Sequence, residues 1–426
     1  MLIAVFEDDL ARNLQPLTLT RPAYMIRCGA QLIYEKIMSE LEGKFVFYAR
    51  EEVVEVARER LSGLGEVIGA DDLRALASGE DLLLVNGRWL FDKSLLRVGE
   101  ECVALKDGEL VYAYLRGDDA RRLAERCGGL FEFLDALRAE FSEFEVDEAR
   151  ILRYPWDLIE YNREEILNDL KRFKRFKTWR EPANIPGAYL IGENDFLISS
   201  TAKIYPCTVL DSSDGPVIID DEAIVMPQTY LRGPCYIGRE TWIVGGKVSA
   251  SSIGHVCRVG GEVEETIIQG FSNKYHAGFL GHSYVGEWVN LGALTTVSDL
   301  KNDYSSVKVP IGGRLVDSGK VKVGAFIGDH TKTSIGSLLL GGSVIGVMCN
   351  LVTSGEPYPK YIPSFTWYVK GQVRDWIGVE SMIEAAERMM ARRGVQMSEA
   401  EKRLYRKLYE ETRAERREFA EKLLRS

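Results

Sequence analysis

Two hydrophobic rhythms divide the chain. Up to about residue 177, short apolar runs alternate with longer amphipathic ones. LIAVF, FVFYA, EVIGA and LLLVNG have the length and composition of buried strands. AQLIYEKIMSEL, EVVEVARERLSGL, DDARRLAERCGGLFEFLDALRAEF and LIEYNREEILNDLKRF carry apolar residues at helical spacing. Strand and helix in alternation predict a mostly parallel sheet with helices on its faces. Ligands of such sheets sit beyond the carboxyl ends of the strands, which points to the loops after LIAVF and LLLVNG.

From about residue 191 the rhythm changes to six. Ile198, Ile204 and Leu210 begin the count, with Ile191 one residue out of step; Ile219, Val225, Leu231, Ile237 and Ile243 continue it, followed by Ile253 and Val259. Val285, Leu291 and Val297 lead the hexads VGEWVN, LGALTT and VSDLKN, and after a polar excursion Val321, Ile327, Thr333, Leu339, Ile345 and Leu351 resume. A six-residue period fits one flat face of a three-sided coil: the leading aliphatic residue points inward, small residues turn the corner, and three hexads close a turn. Independent strands of a sandwich would not keep one register across so many rungs.

The expected organisation is an α/β domain over 1–177, a linker over 178–190, an all-β coil over 191–355, and a cap with a helical tail over 356–426. The linker KTWREPANIPGA has two prolines and no periodicity. In the tail a break is expected near Gly394, with Ser398 and Glu401 spaced as a capping box for the second helix. The many Glu and Arg residues of the tail fit a solvated face.

Length and charge narrow the function classes. A chain of 426 residues exceeds one ordinary core and leaves room for two sites. No apolar run is long enough to span a bilayer, and a net charge of -10 disfavours nucleic acid as a partner. The start MLIAVFEDD lacks a signal-peptide pattern, and seven scattered cysteines without a CxxC fit a reducing cytoplasm.

Candidate chemistry is densest between Gly261 and Tyr304, where two of the four histidines share the repeat with lysines, asparagines and carboxylates. A histidine with an ordinary pKa of about 6.5 can act as a base at neutral pH.

The N-terminal stretch Arg12, Leu14, Pro16-Leu17-Thr18, Arg21-Pro22, Ile26 and Gly29, followed by an amphipathic helix, resembles the signature loop of sugar-1-phosphate nucleotidyltransferases. The resemblance implies a Rossmann-like α/β domain using a nucleoside triphosphate such as UTP with Mg2+. The family's GxGTR turn is replaced by Asp8 to Asn13 without glycine, and Arg88 stands at the position of an acidic metal ligand. Arginine does not bind magnesium but does contact phosphate. Arg12, Arg21 and Arg88 are the implied phosphate contacts, with surface ion pairs as the alternative for Arg12 and Arg21. Tyr154-Pro155-Trp156-Asp157-Leu158-Ile159 with Asn162 resembles the PWDLLxxN close of that domain, which makes Asp157 either the metal ligand or a cap of the following helix.

The order GGEVE, SNKYHAGFLG, SYVGEWVNLG, TT, LKN-Y, GDHTKT and YIPSF resembles the variant form of the bifunctional family that pairs a uridyltransferase domain with a β-helical glucosamine-1-phosphate acetyltransferase. That resemblance implies a left-handed parallel β-helix, His276 as base and Glu262 as the carboxylate that orients it. It implies Lys247 and Lys274 for phosphate, Asn290 and Asn302 for sugar hydroxyls or the N-acetyl carbonyl, Tyr304 for a ring contact and His330 for cofactor or sugar. Glu264 and Phe279 depart from the family's lysine and tyrosine. Acetyl-CoA would lie between subunits of a homotrimer. The expected activity is acetyl transfer from acetyl-CoA to glucosamine 1-phosphate and nucleotidyl transfer from UTP to the product. Two alternatives are an acetyltransferase whose first domain only senses a nucleotide, and a zinc hydratase of the β-helical carbonic anhydrase type using three histidines.

Overall fold

A computed structural model describes residues 1–176, 179–180, 185–374 and 377–425. The expected linker therefore falls partly outside the described residues. By their internal packing the residues divide into two compact units, one of 1–14, 18–26 and 32–153, the other of 15–17, 27–31 and 154–426.

The first unit is built on β1 (Leu2–Phe6), whose five residues are all buried. It pairs in parallel with β2 (Lys44–Ala49) and β4 (Leu82–Asn86), and β2 pairs in parallel with β3 (Glu66–Gly69). These are the four strands expected from the apolar runs. Beyond β4 the sheet turns mixed: β6 (Glu109–Leu115) runs antiparallel to β4 and to β5 (Cys102–Lys106), and β7 (Glu143–Glu145) closes the edge beside β5. Helices α1 (Ile33–Glu40) and α2 (Val54–Arg60) follow the expected patterns. The long helical pattern after residue 117 is two helices, α3 (Gly117–Arg126) and α4 (Leu130–Glu140), because Gly128 and Gly129 interrupt it. Each glycine costs a helix interior about 1 kcal/mol.

The coil has three faces. One is a ten-stranded sheet, one is eight-stranded, and the third comprises five- and four-stranded segments joined through Asn273, Asn290 and Lys332. Almost all neighbours are parallel and in register, so each inward residue rests on the one a turn before. Ile198, Ile219, Ile237, Ile253, Ile268, Val285, Ile327, Ile345 and Ile362 form one such column within a single apolar core. Val321, read as a rung leader, is exposed; the count resumes at Ile327, because residues 298–322 form an excursion with a hairpin of Lys308–Ile311 and Arg314–Asp317.

Helix α5 (Pro155–Phe176) belongs with the coil. Asn162 Oδ1 accepts from Gly29 N and from Ser252 Oγ, both at 2.8 Å. Asp169 Oδ2 accepts from Ala30 N at 2.8 Å, and Arg27 N donates to Gln269 Oε1 and the Tyr284 hydroxyl at 2.9 Å. A side chain at Gly29, with φ +77°, would place its Cβ 2.5 Å from Asp169 Oδ2, so this clasp requires glycine.

The tail forms α6 (Val379–Ala391), α7 (Glu399–Glu411) and α8 (Arg413–Arg425), with the expected break at Gly394, φ +70°. The capping box forms: Glu401 N donates to Ser398 Oγ at 3.1 Å and Ser398 N to Glu401 Oε2 at 3.0 Å. Among the described residues no helix is long and apolar enough to cross a membrane.

Ile253→Ala, which opens a void in the inward column, is expected to destabilise the coil by about 2–5 kcal/mol, read as a lowered midpoint in chemical unfolding.

Candidate active site

His276 occupies a corner of the coil, between the strands Asn273–Lys274 and Phe279–Gly281. Its side chain is exposed, and its ring centre lies 5.2 Å from that of Tyr275. The residue that shapes this corner is Lys274. It pairs in register with Val259, an inward residue, and is itself only 2 % exposed. Its Nζ donates to the main-chain oxygens of His276 at 2.6 Å and Gly260 at 3.1 Å. Gly261 makes room: a Cβ there would lie 2.8 Å from the His276 oxygen and 2.9 Å from Lys274 Nζ. Burial pushes the Lys274 ammonium down to about 8, with no carboxylate to offset it.

Glu262 follows this glycine on the neighbouring rung, in register with Phe279 and with Lys247. Its carboxylate accepts from Lys247 Nζ at 3.3 Å, and among the described residues no hydrogen bond joins it to the His276 ring. Lys247 and Glu262 are thus brought together, on the rung beside the His276 corner. Asn290 stacks outward on Asn273, whose Nδ2 donates to Asn290 Oδ1 at 3.3 Å. Asn302 and Tyr304 lie on the excursion, exposed, with Tyr304 at φ +56°; no described contact ties either to His276. His330 is buried between the Trp288 ring, centres 6.2 Å apart, and Tyr405 of α7 at 5.5 Å.

In the first unit Arg88 is fully buried. Its guanidinium donates to both oxygens of Asp8, at 2.7 and 2.6 Å, to Glu109 at 2.8 Å and to the Leu152 carbonyl at 2.6 Å. Burial works against its charge, but the hydrogen bonds and charges of Asp8 and Glu109 outweigh that and raise its pKa. Arg12 is paired with Glu52 at 3.2 Å, and Arg21 is buried. Asp157 Oδ2 accepts from Tyr154 N at 2.9 Å, the geometry of a helix N-terminal cap. Among the described residues no three His, Cys, Asp or Glu side chains converge as metal ligands. Asp8 is held by Arg88, and Asp157 by the Tyr154 amide.

One arrangement escaped the sequence reading. His282 Nδ1 lies 2.7 Å from Asp299 Oδ2. Leu280 pairs with Val297, so residues two further along on each rung are neighbours; once the rung length here is known, that offset identifies the pair. Burial would raise the Asp299 carboxyl, but the His282 hydrogen bond, with the charges of His282 and Lys322, holds it below the usual range. His282 lines a cleft of about 230 Å³ with Arg163, Lys320 and Lys322. Arg163 and Lys320 are each ion-paired at 2.9 Å, with Glu265 and Glu160.

An α/β sheet domain is thus followed by a β-helical coil with an outward histidine corner. Residues 3–178 match the family model described as sugar nucleotidyl transferase. A "Bifunctional sugar-1-phosphate nucleotidylyltransferase/acetyltransferase" of Sulfurisphaera tokodaii is 34% identical over 149 residues, covering 32% of this chain and 35% of that protein. The "Bifunctional protein GlmU" of Methanocaldococcus jannaschii is 24% identical over 399 residues, covering 79% of this chain and 90% of the relative. A protein of the same description from Synechococcus is 25% identical over 189 residues, covering 36% of this chain and 28% of its own length. The alignments thus span about a third of two relatives and most of one. Residues 3–178 are thus similar to sugar nucleotidyl transferases, and the chain as a whole is similar to proteins described as bifunctional.

The buried ammonium has a stability signature. From pH about 8 up to about 10.5 the unfolded chain keeps a proton that folded Lys274 has released, so stability rises with pH in that window. Lys274→Met, of similar length without charge, is expected to melt at or above the parent at pH 7, and that advantage should shrink by pH 10.

Proposed function

We propose that the coil transfers an acetyl group from acetyl-CoA to the amine of glucosamine 1-phosphate, and that the first domain transfers a uridylyl group from UTP to the N-acetylated product. The reading is supported chiefly by one relative, described as bifunctional, whose alignment runs through both halves of the chain. His276 is the proposed base. As the amine nitrogen attacks the thioester carbonyl, its proton passes to the imidazole, the C–S bond breaks, and the departing thiolate is protonated. The exposed corner leaves the ring open to an acceptor, and Lys274 fixes the backbone that carries it. Glu262 and Lys247, paired on the adjacent rung, are the proposed orienting carboxylate and phosphate contact. Asn290, Asn302, Tyr304 and His330 are proposed for sugar and cofactor, with Lys274 acting from inside the coil. A cytoplasmic homotrimer, with the donor between subunits, completes this reading.

For the first domain, magnesium, Asp157, Arg12, Arg21 and Arg88 stay with the nucleotidyl step as proposals resting on the family match alone. One observation favours a second reading, in which that domain senses a nucleotide without turning it over. At the position where the resemblance expects an acidic metal ligand, the Arg88 guanidinium is instead ion-paired with Asp8 and Glu109. The three-histidine zinc alternative gains no support within one chain: His276 and His282 flank the strand Phe279–Gly281 at successive corners.

The test follows free thiol and pyrophosphate separately in a mixture of glucosamine 1-phosphate, acetyl-CoA, UTP and magnesium. His276→Ala is expected to slow thiol release about 10²–10⁴-fold and to leave direct turnover of N-acetylglucosamine 1-phosphate with UTP unchanged. Equal thiol release by parent and variant would remove His276 as base, and thiol release without pyrophosphate would select the sensing reading.

A further inference from the structure

The last rungs of the coil and the tail helices enclose a cavity of about 290 Å³ that the proposed reactions do not use. Among the described residues, Arg374, Arg413, Arg416 and Arg417 line it, with Glu410 as the carboxylate. Arg374 lies beside the strand Gln372–Val373, and the other three sit on the first turns of α8. A surplus of guanidiniums around one concave space is repulsive unless an anion fills it.

The cationic centre is held in place. Arg416 donates to Thr412 Oγ at 2.5 Å and to the Tyr409 carbonyl at 2.7 Å, and its guanidinium lies 4.1 Å from the centre of the Tyr409 ring. Phe365, from the coil, meets Tyr409 edge to face at 5.6 Å and closes the wall behind it. Among the described residues, Arg413 reaches Glu410 only at 3.7 Å, with both side chains more than half exposed, while Arg374, Arg416 and Arg417 have no ion pair. Such an exposed pair is worth little and opens readily to a stronger anion. Planar guanidiniums bind phosphate through paired hydrogen bonds, which an ammonium does not reproduce.

We propose that this cavity is a phosphate-binding site, taking a phosphate or pyrophosphate group of a small molecule. Burial pulls Arg416 below the usual guanidinium range, and neither Tyr409 nor Glu410 makes up the difference. A bound phosphate would supply the missing charge. The phosphate has more than one possible source, the acyl donor, the sugar phosphate or the nucleotide, and the site is independent of which reactions the chain performs.

The probe is inorganic pyrophosphate, titrated calorimetrically into the full chain at low salt. The parent is expected to bind it, and Arg413→Gln with Arg417→Gln, both at exposed positions, to bind about 10- to 100-fold more weakly with an unchanged melting temperature. Arg314→Gln, on the hairpin and outside the cavity lining, should bind as the parent does. Competition by acetyl-CoA, by glucosamine 1-phosphate or by UTP would each support the site and name its source. Pyrophosphate binding lost in the double variant but blocked by none of the three would support a site for a phosphate compound outside the proposed reactions. No binding by the parent at millimolar pyrophosphate, or equal binding by parent and double variant, would overturn the proposal.

Discussion

In-register stacking of the coil is the constraint on which the rest depends. Because strands of successive turns pair residue for residue, an inward position must be filled at every rung, and outward positions fall into ladders whether or not they bond. The Lys247–Glu262 pair, the Asn273–Asn290 contact and the His282–Asp299 pair all arise in this way, from residues one turn apart. The coil brings polar groups together by counting, so short changes in rung length decide which of them meet.

At Lys274 a charged side chain takes an inward position of the coil. Its position belongs to the column of Ile243, Val259 and Leu291, and an ammonium there gives up hydration for two carbonyl bonds. The lowering of its pKa from 10.5 to about 8 corresponds to roughly 3 kcal/mol of unfavourable burial. An aliphatic residue would fill the column without that penalty, whereas it could not tie the carbonyls of Gly260 and His276, which belong to adjacent rungs. The corner bearing His276 is thereby fastened to the segment leading into Glu262, even though no described bond joins the two side chains.

Much of this was legible beforehand. The four strands, the three-sided coil, the Gly394 break and the capping box at Ser398 follow from spacing and from local hydrogen-bonding chemistry, both of which act over a few residues. The hexad count lapsed between Val259 and Val285 because Val263 and Ile268 follow at shortened intervals and because a lysine at the next inward position is invisible to a hydrophobic pattern. The sequence therefore presents Lys274 only as a phosphate contact implied by the resemblance. Arg88 and Asp157 were read through a family's motif, yet their partners Asp8, Glu109 and the Tyr154 amide depend on tertiary packing or cap geometry that a motif does not carry. The His282–Asp299 pair needed the rung length, which only the register supplies.

That Lys274 lies inside the coil, holding the His276 corner, can be measured directly by amine-selective labelling of the folded protein at pH 7.5 with peptide mass spectrometry. Lys247, on an outward ladder, should be modified readily while Lys274 stays unmodified until the chain is unfolded. Modification of Lys274 in the folded chain at a rate comparable to Lys247 would contradict the account.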